Sequence, residues 1–124
     1  MSQCLGVRGA TTADANTSDG IVDATEELLR EMVAANGIDE SDVAAVFFTT
    51  TVDLNAEFPA VAARVRLGWE HTALMTSQEV PVPDATPSVI RAMLLVNTDK
   101  SKEELVHVYL KGAKQLRSRG STSR

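Results

Sequence analysis

The stretch Val89-Ile90-Arg91-Ala92-Met93-Leu94-Leu95-Val96 is an apolar run interrupted by a single arginine. A β-strand over this run turns Arg91 toward the same face as Val89, Met93 and Leu95. Removing a guanidinium from water is costly unless an anion and hydrogen-bond acceptors meet it. We therefore expect the partner of Arg91 to be either an internal carboxylate or a molecule that the protein binds.

A second arginine lies in the segment Cys4–Thr12, which also reads as a strand. Alternation places Arg8 between Gly6 and Ala10 on one face, so it is flanked by residues with almost no side chain. Glycine weakens a strand interior, and its presence here indicates close approach of a ligand or of another backbone. A salt-bridged edge strand with a solvated arginine is the alternative interpretation.

The length of 124 residues, 44% of them hydrophobic, suits one domain. We place this domain at residues 1–117 and a flexible C-terminal tail at residues 118–124. The single cysteine, Cys4, excludes an internal disulfide framework and fits a reducing compartment. In a strand pattern we expect it to be a small buried apolar group.

The net charge of −5 and the aromatic content of 4% argue against a nucleic-acid partner, and the charge also disfavours a membrane surface. No apolar run approaches the length that spans a bilayer, so we expect a soluble, cytoplasmic protein. A small anionic ligand remains compatible with the charge, because a few convergent arginines act at contact distance while distant charges are screened.

The predicted elements alternate along the chain. Strands are expected at Cys4–Thr12, Val43–Thr51, His71–Ser77, around Arg91 and at Val106–Leu110. Thr17 or Ser18 can cap a helix that Gly37 ends, with apolar positions at helical spacing. Shorter helices are expected from Pro59 to about Leu67 and near Ser101–Glu104.

This pattern predicts an α+β domain with a mixed five-stranded sheet, one long helix and one or two short ones. So few helices cannot cover both faces of the sheet. We therefore expect the uncovered face to be buried against another copy of the chain in a homo-oligomer.

The side chains that could carry chemistry are few. His71, His107 and Cys4 show no metal-ligand spacing, so we expect no metal site, and no nucleophilic triad or phosphate loop is indicated. What remains are several arginines, one oddly placed acid and one tyrosine: Arg8, Arg64, Arg91, Arg117, Glu79 and Tyr109. Such a set is suited to binding a carboxylate-bearing molecule and acting on it by electrostatics.

From about Leu5 to Arg117 the chain resembles the monofunctional chorismate mutases of the Bacillus type. The segments that carry the resemblance are Val7–Thr12, Asp53–Leu54, Phe58–Ala60 with Arg64, Gly68–Trp69, Gln78–Glu79, the Arg91 strand, and His107–Leu110 with Leu116–Arg117. Two positions depart from the family pattern: Thr76 stands where a cysteine is common, and Val61 where a basic residue often follows Ala60.

The resemblance implies a homotrimer of pseudo-α/β-barrel form that converts chorismate to prephenate in clefts between subunits, without a cofactor. It implies that Arg91, Glu79, Arg8 and Tyr109 are catalytic. Further residues are implied to bind the substrate: Phe58, Ala60, Arg64, Met75 and Thr76 in the pocket, and Leu116 and Arg117 from the C-terminal region.

Without the resemblance, Glu79 could merely neutralise an arginine, Tyr109 could be strand packing, and Arg64 and Arg117 could be solvated. Two other functions also fit the pattern. One is an enamine/imine deaminase of similar trimeric architecture, and the other is a non-catalytic trimeric module that binds carboxylate metabolites.

Overall fold

Five strands form one mixed sheet in the computed structural model, which describes residues 2–118 and the side chains as far as residue 116. The strands are β1 (Gln3–Thr12), β2 (Val43–Thr50), β3 (Ala73–Gln78), β4 (Val89–Thr98) and β5 (Val108–Tyr109). Their order across the sheet is β3-β2-β4-β1-β5. The Arg91 strand is thus the centre of the sheet, and the predicted fold class is confirmed.

The pairing directions explain why the sheet is mixed. β4 is antiparallel to both of its neighbours, β1 and β2, whereas β3 is parallel to β2 and β5 is parallel to β1. The long β1–β4 ladder sets the register, with Arg8 opposite Met93 and Ala10 opposite Arg91. On the other side of β4, Thr49 lies opposite Arg91.

The helix α1 (Ser18–Asn36) follows β1 and begins and ends where the sequence predicts. The Thr17 side chain accepts a hydrogen bond from the Gly20 N–H, as an N-cap residue does. Gly37 ends the helix in the left-handed region, at φ 59°, and donates to the Val33 carbonyl. The helix buries one stripe, which includes Ile21, Leu28, Leu29 and Met32.

α1 packs on one face of the sheet together with the short helix Ala62–Arg66, whose hydrogen bonds are of the π type. The core between them contains Val7, Leu28, Met32, Phe48, Trp69 and Leu94. The helix comes so close to β1 that a Cβ on Gly9 would lie 2.4 Å from the Met32 Sδ. The missing side chain of Gly9 therefore makes room for Met32 and Leu28 of α1.

Neither α1 nor the helix Ala62–Arg66 covers the opposite face of the sheet. Three large apolar side chains stand on it with substantial exposure: Phe47 at 41%, Met75 at 64% and Met93 at 40%. Single exposed apolar residues are ordinary, but three on neighbouring strands form a patch of the kind that mediates association. This is the arrangement from which the sequence predicts an oligomer.

Several features differ from the prediction, among them a 3-10 helix at Glu40–Asp42 before β2. Cys4 is exposed, because alternation along β1 places it on the open face with Gly6 and Arg8. β5 has only two residues, and the 3-10 helix Lys111–Ser118 was not foreseen. The predicted short helix near Ser101 is present at Lys102–Glu104. No helix within residues 2–118 has both the length and the apolar character required to cross a membrane.

Candidate active site

Two arginines stand on the open face of the sheet, on the neighbouring strands β1 and β4. Arg91 lies between Ala10 and Thr49 in the cross-strand register, and Arg8 lies beside Met93. The Arg91 side chain is 47% exposed in the single chain, so the cost of its placement is lower than its apolar surroundings in the sequence suggest. The alternate residues of β4, such as Ile90, Ala92 and Leu94, point to the other side of the sheet and are buried in the apolar core.

One cavity of about 270 Å³ joins the predicted catalytic residues. It is lined by Arg8, Gly9, Ala10, Phe47, Thr49, Glu79, Arg91, Ala92, Met93 and Tyr109. We call this cavity the arginine pocket. Its charged members come from β1, β4 and the end of β3, so the fold brings together residues that are far apart in the sequence.

Glu79 follows directly after β3, and its backbone N–H donates to the Thr50 carbonyl at 2.8 Å. Its Oε2 atom accepts from the Thr49 hydroxyl and lies 3.1 Å from the Arg91 Nε. The carboxylate is therefore fixed between a neutral donor and a cation. Because a guanidinium has five N–H donors, Arg91 keeps donors for a second anion.

Tyr109 stands on the edge strand β5, paired with Ala10 of β1. The Leu110 N–H donates to the Ala10 carbonyl at 2.9 Å and continues this pairing. Tyr109 thereby reaches the side of the arginine pocket opposite to Glu79. Within residues 2–116, no carboxylate forms an ion pair with Arg8.

Two of the predicted substrate-binding residues, Phe58 and Thr76, lie in a different cavity. They line a second cavity of about 320 Å³, together with the 54–59 loop and the ends of β2 and β3. We call it the Phe58 pocket. It contains neither arginine of the first cavity, so one chain separates the two groups of predicted residues.

The remaining predicted residues are placed as follows. Met75 is exposed beside Phe47 on the open face, Ala60 packs partly buried against the core, and Arg64 is exposed on the short helix. Leu116 lines a groove of about 150 Å³ with Glu79 and Arg91. The side chain of Arg117 and residues 119–124 lie outside the described residues.

Sequence reasoning missed Thr49, Phe47 and Met93 as lining residues of the arginine pocket. The Thr49-Thr50-Thr51 run signalled only a strand end. That Thr49 faces Arg91 depends on the register between β2 and β4, which connects residues about forty positions apart. Local patterns do not contain this information.

Polar contacts hold the loops around both pockets. Asn16 accepts from the backbone N–H groups of Asn55 and Ala56 at 3.0 Å each, and so fixes the loop that leads to Phe58. At the start of β4, Asp53 accepts from the Ser88 N–H at 3.0 Å, where Ser88 has a φ of 58°. Hydrogen bonds from the Thr51 hydroxyl and from Ser88 lower the pKa of Asp53 below its usual value.

The family model described as chorismate mutase type I matches residues 4–119. The chain belongs to the chorismate mutase type I family. It is 47% identical over 113 residues to chorismate mutase AroH of Thermus thermophilus, covering 90% of this chain and 92% of that protein. It is 36% identical over 112 residues to chorismate mutase AroH of Bacillus subtilis, covering 90% and 88%.

A solved structure with the same fold is that of the chorismate mutase from Clostridium thermocellum. It superposes with a TM-score of 0.87 at 51% sequence identity, covering 89% of this chain and 97% of the other. These similarities identify the chain as a chorismate mutase, an isomerase, and confirm the resemblance seen in the sequence. They favour neither the deaminase nor the non-catalytic module.

Proposed function

We propose that the protein rearranges chorismate to prephenate, without a cofactor, in a cleft completed by a second copy of the chain. The observation that carries the proposal is the arginine pocket, in which Arg8 and Arg91 stand on one sheet face with Glu79 and Tyr109. Chorismate is a dicarboxylate, and guanidinium groups are the side chains best suited to bind carboxylates.

The rearrangement is a single intramolecular [3,3] step, so it requires no nucleophile and no obligatory proton transfer. The enzyme selects a compact conformer of the substrate and stabilises the charge that separates as the ether C–O bond breaks. In our proposal Arg91 faces the ether oxygen, where negative charge grows. Glu79 accepts a hydrogen bond from the ring hydroxyl and offsets the positive charge on the ring.

The contacts of Glu79 support this division of roles. The Thr49 hydroxyl and the Arg91 Nε both approach Oε2 from neighbouring strands, so the carboxylate is oriented before any substrate enters. A preoriented charge stabilises a transition state without the cost of reorganisation. A flexible surface glutamate would not supply this.

Arg8 is assigned to a substrate carboxylate, with Tyr109 donating a hydrogen bond nearby. The lack of an ion-pair partner for Arg8 within residues 2–116 supports the assignment, because its charge is available for an incoming anion. Arg91 contributes to binding a carboxylate as well. The two guanidinium groups then balance the two negative charges of the substrate.

The second copy is proposed because the chain divides the predicted residues between two cavities. The arginine pocket of one copy would be closed by the Phe58 pocket of its neighbour, which brings Phe58 and Thr76. Ala60, Arg64 and Met75 lie outside both cavities of the single chain, and we propose that they too contact the substrate in the assembled site. Leu116 and Arg117 would cover the site from the C-terminal region. The exposed patch of Phe47, Met75 and Met93 supports association. We propose a homotrimer, the assembly implied by the resemblance.

The first test is turnover. When purified protein is mixed with chorismate, the absorbance of chorismate should fall as prephenate forms. Acid then converts the prephenate to phenylpyruvate. Light scattering should report a particle of about 40 kDa, three times the chain mass of 13.3 kDa. If the absorbance and the amount of chorismate both stay unchanged, the activity is refuted. A monomeric particle would refute the shared site.

The second test separates a shared site from one built within a single chain. Arg91→Ala and Phe58→Asp should each be nearly inactive, since the second places a negative charge beside a dianion. After joint unfolding and refolding at equal amounts, about one quarter of the sites in a closed ring receive both intact surfaces. Activity near that fraction supports the shared site. No gain over the double variant Arg91→Ala/Phe58→Asp contradicts it.

We further propose that the protein acts in the cytoplasm and has no nucleic-acid or membrane partner. The net charge of −5 supports this, because both surfaces are themselves anionic.

A further inference from the structure

The edge strand β5 stops pairing with β1 just before it reaches Arg8. The parallel register consists of Gly9 with Val108 and Ala10 with Tyr109. Since Leu110 donates to the Ala10 carbonyl, the backbone polar groups of Ala10 face β5. Those of Arg8, two residues earlier, face the same way. In a continued ladder, the Arg8 N–H would donate to the carbonyl of Val106.

That carbonyl is engaged elsewhere. The side chain of Asn36, the last residue of α1, donates from Nδ2 to the Val106 carbonyl at 2.9 Å and accepts from the Val106 N–H at 2.7 Å. Nδ2 also donates to the Met32 carbonyl at 2.9 Å. Asn36 is only 3% exposed, so these bonds are made where unpaired polar groups would be costly. The helix therefore holds residue 106 away from β1.

His107 supplies the acceptor that the strand lacks. Its Nδ1 accepts the Arg8 N–H at 3.0 Å. A ring nitrogen that accepts a hydrogen bond must keep its lone pair, so the proton of the neutral ring is on Nε2. The imidazole thus fixes the backbone of Arg8, a lining residue of the arginine pocket. Tyr109, which also lines this pocket, follows His107 by two residues in the chain.

We infer that His107 is a positioning residue for the rearrangement. Its Nδ1 fixes the backbone of Arg8, and Asn36 fixes the position of Val106, the residue before His107. The inference rests on the proposed function, because it assigns to Arg8 a substrate carboxylate. Small displacements of a binding group reduce catalysis strongly, even when no contact with the substrate is removed.

The decisive variants differ in one atom's ability to accept. His107→Asn offers an oxygen at the position of Nδ1, whereas His107→Leu offers no acceptor at similar size. We expect His107→Leu to lower kcat/KM for chorismate about tenfold, mainly through a higher KM, and His107→Asn to stay within about threefold of the unmodified protein. His71→Asn, at the other, exposed histidine, is the control and should change neither constant.

Amide hydrogen exchange at Arg8 gives a readout that does not depend on activity. The Arg8 amide should be protected in the unmodified protein and in His107→Asn, and should exchange at least tenfold faster in His107→Leu. The ¹⁵N chemical shifts of His107 in the unmodified protein should report the Nε2–H tautomer, which requires no variant to fold.

Four results would overturn the inference. The first two are an Nδ1–H tautomer of His107 and an unchanged exchange rate of the Arg8 amide in His107→Leu. The other two are equal losses of kcat/KM in His107→Asn and His107→Leu, and a lowered Tm of His107→Leu with an unchanged KM. The last would assign a purely structural role. If the unmodified protein fails to turn over chorismate while the Arg8 amide behaves as expected, the proposed function fails and the backbone contact stands.

Discussion

The two faces of the sheet use the same strands for different ends. The face under α1 is apolar, and no charged side chain within residues 2–116 is buried. The open face, one residue out of step, carries Arg8, Arg91 and Thr49 beside exposed apolar groups. Because alternate residues of one strand point to opposite sides, stability and chemistry are assigned to different positions of the same segment. Substitutions should therefore affect one property and largely spare the other.

The largest effect is expected from adjacent phenylalanines on opposite faces. Phe48 is 1% exposed, and Phe48→Ala should lower the free energy of unfolding by about 3–5 kcal/mol. Phe47 faces the open side and is 41% exposed in the single chain, so Phe47→Ala should cost about 1–2 kcal/mol of the free energy of unfolding, including its share of the contact between copies. Urea denaturation at fixed protein concentration measures both. Equal losses would show that the two faces are buried alike in the folded assembly.

The converse is expected for the central arginine. Arg91→Ala should lower kcat/KM by about 10² or more, the usual loss of a donor to a developing oxyanion. The ion pair of Arg91 with Glu79 is partly exposed, so the free energy of unfolding should change by less than about 1 kcal/mol. Arg30→Ala is the control, because Arg30 pairs with Glu26 on the solvent side of α1. Activity that survives in Arg91→Ala would remove the proposed mechanism.

Two glycines of β1 offer a smaller contrast. A methyl group on Gly9 would lie 2.4 Å from Met32 and 3.0 Å from Leu28, so Gly9→Ala should destabilise the protein by about 1–3 kcal/mol. A methyl group on Gly6 meets Met93 at 3.6 Å, an ordinary contact, and Gly6→Ala should change stability by less than about 0.5 kcal/mol. Thermal unfolding of the two variants tests this. A Gly9→Ala protein as stable as Gly6→Ala would mean that the helix can move away freely.

The smallest effect is expected at the start of β4, where Asp53 holds the backbone of Ser88. The lowered pKa of Asp53 means that its hydrogen bonds stabilise the fold above the unfolded-state pKa, and that this stabilisation is lost as the pH falls through the folded-state pKa. Because Asp53 is exposed and water weakens its contacts, Asp53→Asn should cost less than about 1 kcal/mol near neutral pH, and the difference should shrink in acid. Asp42→Asn, on the 3-10 helix Glu40–Asp42 that precedes β2, serves as the control. A difference that grows in acid would contradict the assignment.

Local patterns predicted most of the fold. The α1 boundaries follow from the capping of Thr17 and the freedom of Gly37, and four of the strands have nearly the predicted bounds. The two arginines were singled out because a charge in an apolar alternating run needs a partner. Arg8, Arg91, Glu79 and Tyr109 do line one cavity, although their catalytic roles stay predictions.

What the sequence did not predict depends on contacts between distant residues. β5 is short because Asn36 holds the segment before it, a contact over seventy positions. Thr49 meets Glu79 only because β2 and β3 lie side by side in one register. The exposure of Cys4 follows from which face α1 covers, and alternation alone does not identify that face.

The distribution of charge has a consequence for how ions in solution affect the enzyme. The arginine pocket concentrates positive charge on a chain whose total is −5, so a dianion is repelled at long range and attracted only at contact. Added electrolyte screens both effects over about 8 Å at physiological ionic strength. Faster encounter and weaker retention then oppose each other, so the catalytic rate should vary less with salt than two arginines alone would suggest.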